Sequence, residues 1–75
     1  MNAQSGPTEM THEDVLRIKL EVLKREHRDL DAAIDALHDA VNPDQLTIKR
    51  LKKQKLSLKD RIARIEDELI PDILA

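Results

Sequence analysis

At 75 residues the chain is about half an average domain, so it holds one small unit with no room for a catalytic domain beside a regulatory one. It has no cysteine and no aromatic residue, which excludes disulfides, thiolate chemistry, Cys-based zinc sites and aromatic platforms for bases or sugars. Thirteen Lys and Arg against fifteen Asp and Glu give a net charge of −2, which argues against bulk-charge attraction to nucleic acid or membrane, and one Gly with three Pro leaves too few turn signals for an all-β domain.

Residues 1–10 contain the only glycine, Gly6, beside Pro7, and show no apolar period, so a flexible N-terminal tail is expected there. That stretch has neither the basic region nor the apolar region of a secretory signal. No apolar run approaches the length of a membrane span, and the cytoplasm is the expected location.

The first helix is expected from Thr11 to Val41, with Thr11 as N-cap and Asp14 answering it as a short capping box. Its apolar positions are Leu16, Leu20, Leu23, Leu30, Ile34, Leu37 and Val41, alternating by three and four residues once His27 is counted in the series. That is a coiled-coil seam, interrupted once by a histidine. Asn42, Pro43 and Asp44 then read as a turn, with Asn42 capping a second helix that Pro43 opens.

The second helix is expected to run from Pro43 to Ile70 and repeats the seam at Ile48, Leu51, Lys55, Leu58, Ile62, Ile65 and Leu69, before Pro71 and an apolar tail, residues 71–75. The two seams mirror each other about the turn: Leu37 meets Ile48, Ile34 meets Leu51, Leu30 meets Lys55, His27 meets Leu58 and Leu23 meets Ile62, each pair of numbers summing to 85. The fold expected is all-α, an antiparallel two-helix hairpin. Beside the seam this register would pair Asp31 with Lys52, Arg17 with Glu66, Glu26 with Arg61 and Lys19 with Glu68, while Lys24 would repel Lys59.

The segments LKREHRDLDAAI (Leu23 to Ile34) and LKKQKLSLKDRIARIE (Leu51 to Glu66) together resemble the YdcH-like family of short bacterial proteins. Its pattern is a histidine-arginine followed by leucine-aspartate, then a lysine-rich L-K-K-x-K-L-x-L-K-D stretch. The resemblance covers about Leu20 to Leu69 and implies a two-helix hairpin of uncharacterised role, with no activity, cofactor or catalytic residue to carry over.

Candidate chemistry is sparse. His12, His27 and His38 have no three- or four-residue spacing for a helical metal pair, and Ser57 lies mid-helix without a base, so no catalytic, cofactor or metal site and no small-molecule substrate is expected. On the seam, His27 reads as a register-setting polar residue or as a partly buried histidine bonded to a neighbouring carboxylate, with a pH-responsive contact as the sharper reading; Lys55 reads as a lysine whose stem lies along the seam. From Gln45 to Arg64 there are eight basic residues against the single acid Asp60, opposite an acidic stretch of helix 1. Helix pairing explains most of that charge, yet Lys49, Arg50, Lys53 and Arg64 fall on the outward face as candidate anion contacts for nucleic acid or an acidic protein.

One seam cannot cover every apolar side chain. Val15, Ile18, Val22 and Ile70 lie outside it at the end away from the turn, followed by Ile73 and Leu74, and they are the candidate protein-interaction residues. The function expected is a non-enzymatic interaction or assembly protein, a homodimer or a module on a larger partner, with a nucleic-acid-associated protein as the alternative.

Overall fold

The computed structural model describes residues 9–69, in which two α-helices, α1 (His12–His38) and α2 (Gln45–Leu69), pack on each other as a hairpin, with no strand among the described residues. The capping box forms as its residues dictate: the Asp14 amide donates to Thr11 Oγ1 at 3.0 Å, and the Thr11 amide donates to Asp14 Oδ2 at 3.2 Å. Two of the orphan amides at the helix start are thereby satisfied.

The turn is longer than the sequence suggests. α1 stops at His38 with Asp39 as its C-cap, three residues before Val41. α2 begins at Gln45, and its cap is Asp44 rather than Asn42: Asp44 Oδ1 accepts the amides of Leu46 and Thr47, both at 3.1 Å, and Oδ2 accepts the Thr47 hydroxyl at 2.7 Å. Three donors converge on one carboxylate, which decides between two cap-forming residues on either side of Pro43. The connection from 39 to 44 supplies the span that two helices lying side by side need for a reversal. Val41, expected on the seam, is consequently 95% exposed in this connection.

The remaining seam positions all face inward. Leu16, Ile34, Ile48 and Leu58 are buried, Ile48 to 2% exposure, and the other seam residues of both helices, His27 and Lys55 included, are half-buried. Among the described residues four buried side chains form a thin core, because two helices can close only one stripe of each surface. The expected tail 1–10 falls outside the described residues except for Glu9 and Met10, and Ile70, Pro71, Ile73 and Leu74 lie outside them too.

Candidate functional site

Electrostatics across the hairpin differ from the simple flanking scheme. The ion pairs joining α1 to α2 among the described residues are Asp31 with Lys55 at 2.5 Å and Lys24 with Glu66 at 3.6 Å, and His12 Nε2 lies within hydrogen-bonding distance of Glu68 Oε2 at 3.1 Å. None of the expected pairs Asp31–Lys52, Arg17–Glu66, Glu26–Arg61 or Lys19–Glu68 is among them, although Glu26 and Arg61 line one hollow. The causes are local. Arg17 is taken by Glu13 one turn away at 2.6 Å, which leaves Glu66 to Lys24 and so removes Lys24 from its conflict with Lys59. Asp31 sits next to Leu30, the residue placed opposite Lys55, so the half-buried ammonium emerges beside it.

A small polar cluster results midway along the seam. Asp31 Oδ1 accepts from Lys55 Nζ while Asp31 Oδ2 lies 3.9 Å from His27 Nδ1. The Lys55 hydrogen bond holds the Asp31 carboxyl below its ordinary value, against a desolvation effect that opposes it, with the charges of Lys55 and His27 adding to the lowering. Both seam interruptions of the sequence therefore converge on a single carboxylate, and Asp31 is the partner that a register argument alone gave to Lys52.

The outward residues separate into two places. Lys49, Arg50 and Lys53 surround the exposed Leu46 near the turn, and none of the three has an ion-pair partner within 4.0 Å among the described residues. Arg64 stands apart: it is paired with Asp60 at 3.0 Å and lies eleven positions beyond Lys53, about 16 Å along the helix. So the basic face brings three of its four candidate residues together.

At the other end, the open end, Val15, Ile18 and Val22 are exposed, Ile18 to 54% and Val22 to 50%. Ile18 and Val22 form one wall of a groove whose remaining lining is Leu23, Ile65 and the side chains of Lys19, Arg61 and Arg64. Leu23 and Ile65 were legible only as seam residues; half-buried, they serve the seam and the groove floor at once. Among the described residues, no helix is long and apolar enough to cross a membrane.

Residues 20–66 match the family described as "Protein of unknown function (DUF465)", which corresponds to the YdcH-like small proteins, and the match spans more than half of the chain. The chain belongs to this family. The matched region takes in both segments of the resemblance, the seam cluster of His27, Asp31 and Lys55, and the floor and most of the walls of the groove in this YdcH-like chain. No curated protein and no solved structure matches it.

Proposed function

We propose that this YdcH-like chain is a non-enzymatic interaction or assembly protein of the cytoplasm, acting through helix surfaces. The observation that carries the reading is the groove at the open end: Ile18 and Val22 stand half in solvent on a hairpin with a thin core, above a floor of Leu23 and Ile65. Apolar side chains left wet on so thin a core gain by covering, and a helix laid along the groove covers them with apolar residues at helical spacing. The arginine and lysine walls add a preference for acidic flanks on that helix.

The test is to replace Ile18 and Val22 with Glu and to follow both assembly mass by sedimentation and retention of native partners in high salt. Loss of both in the I18E/V22E variant, with helicity kept, supports the reading. Unchanged mass and unchanged retention overturn it.

The grouping of Lys49, Arg50 and Lys53 around Leu46 favours a second reading, in which the turn end of α2 contacts nucleic acid. Ionic strength separates the two, since phosphate contacts weaken steeply with salt and apolar docking does not.

A further inference from the structure

The surface of α1 beside the groove carries a second periodic stripe, outside the seam that faces α2. Ile18, Val22, Arg25, Asp29, Ala32 and Ala36 recur at spacings of four, three, four, three and four along α1, and every one of them is exposed. The stripe keeps the spacing of a heptad seam and is displaced around the helix from the seam that faces α2. Its order is large apolar, charged, then small, with a cation and an anion at its centre.

We propose that a second copy of this chain occupies this face, its α1 lying antiparallel to the first about a two-fold axis midway between Arg25 and Asp29. The proposal rests on the interaction reading above and names its partner. In that register Ile18 meets Ala36 of the second copy, Val22 meets Ala32, and Arg25 meets Asp29, and the symmetry makes each contact twice. Large apolar side chains fall on alanines at both ends of the stripe, so the helices keep one separation there, and the two central charges are matched across the axis.

Other registers lose this match. A shift of one heptad in one direction sets Ile18 on Asp29 and Val22 on Arg25, apolar on charge; in the other it sets Arg25 on Ala36 and Asp29 on Ala32, with both charges unmatched. Overlapping only the open ends sets Ile18 on Val22 but Val15 on Arg25, and Asp29 finds no cation. On the edges of the proposed pair, Glu26 approaches its own copy near Arg61 on one side, while on the other Arg28 approaches Arg28 and Glu21 approaches Asp35. These exposed like charges weaken the pair modestly.

The test uses complementary charge reversal on the full chain. R25D puts two acids at both central sites and D29R puts two bases there, so each variant alone should dissociate, its dissociation constant raised about a hundredfold, and sediment as a monomer. An equimolar mixture of R25D and D29R should recover the dimer, as should the R25D/D29R double variant. Circular dichroism checks that each variant is still helical. Because the chain has no cysteine of its own, mixed I18C and A36C chains should cross-link, and mixed I18C and V22C chains should not. A wild-type chain that is monomeric at high micromolar concentration, a mixture that stays monomeric, or the reverse cross-linking pattern overturns the proposal. The broader interaction reading fails separately, when I18E/V22E leaves both mass and partner retention unchanged.

Discussion

Lys55 Nζ lies 2.5 Å from Asp31 Oδ1, so the lysine that interrupts the apolar seam of α2 is tied to a carboxylate one residue from its expected seam partner, Leu30. The stem of Lys55 fills its place in the seam while the charge is discharged at the edge. A polar residue placed in this way specifies register, because sliding either helix by a turn would separate the pair.

Acid should therefore loosen the hairpin through Asp31. Its carboxyl is held below the ordinary carboxylate value in the fold, so its contribution to stability is complete above the unfolded value of about 3.9 and is lost as pH falls through the lowered folded value. Asp44, lowered chiefly by the Thr47 hydroxyl, acts in the same direction. Thermal melting followed by circular dichroism should change little from these two groups between pH 7 and 5 and fall below about pH 4. D31N should reduce that acid-dependent fall, and K55L, which completes the apolar seam, should raise Tm at pH 7 by several degrees. A lower Tm for K55L would mean that the ion pair stabilises more than a leucine in its place.

The cap at the start of α2 makes a sharper contrast. D44A removes the acceptor for two amides and one hydroxyl and should lower Tm by about 4–8 °C, the shift expected for losing one N-cap in a chain of this size. N42A should leave Tm within the scatter of surface substitutions. A larger loss for N42A than for D44A would return the cap to Asn42.

Differences between what the sequence revealed and what the fold does follow from the range of each force. The seam was legible because burial repeats with the helix period, so Leu16, Ile34, Ile48 and Leu58 could be read from spacing alone. The cap was not, because Asn42 and Asp44 are both cap formers and the choice depends on Thr47 bringing a hydroxyl and an amide to the same carboxylate. Ion pairs were least legible: long side chains reach a turn in either direction, so Glu13 captures Arg17 and Glu66 goes to Lys24. Ile18 and Val22 were legible as wet apolar residues, but the half-buried Leu23 and Ile65 beneath them could be recognised as a groove floor only with the helices in place.

Nucleic-acid contact, if the turn end of α2 makes any, should depend on three residues. Converting Lys49, Arg50 and Lys53 to Glu alters exposed side chains around Leu46 and should leave the hairpin's melting nearly unchanged. Three phosphate contacts give a slope of log affinity on log salt of about −2.7 for duplex DNA. Fluorescence anisotropy of a labelled duplex titrated at several salt concentrations measures it. A slope near zero, or binding that survives the triple substitution, would rule out this surface as the contact.

Val41 and Ile48 test where the hairpin's stability resides. Both are β-branched seam positions in the sequence, yet Val41 is 95% exposed in the connection and Ile48 is 2% exposed between the helices. V41A should change stability by less than about 0.5 kcal/mol, as substitutions at exposed sites do. I48A deletes buried methyl and methylene groups from a core of four side chains, a loss of about 2–5 kcal/mol. A hairpin this small holds only about 3–5 kcal/mol in its core, so I48A should populate the unfolded chain substantially at 25 °C. Chemical denaturation of the two variants beside the wild-type chain measures both effects. A modest loss at Ile48 would show that packing outside the intrachain seam, such as a second copy on α1, holds the helices together.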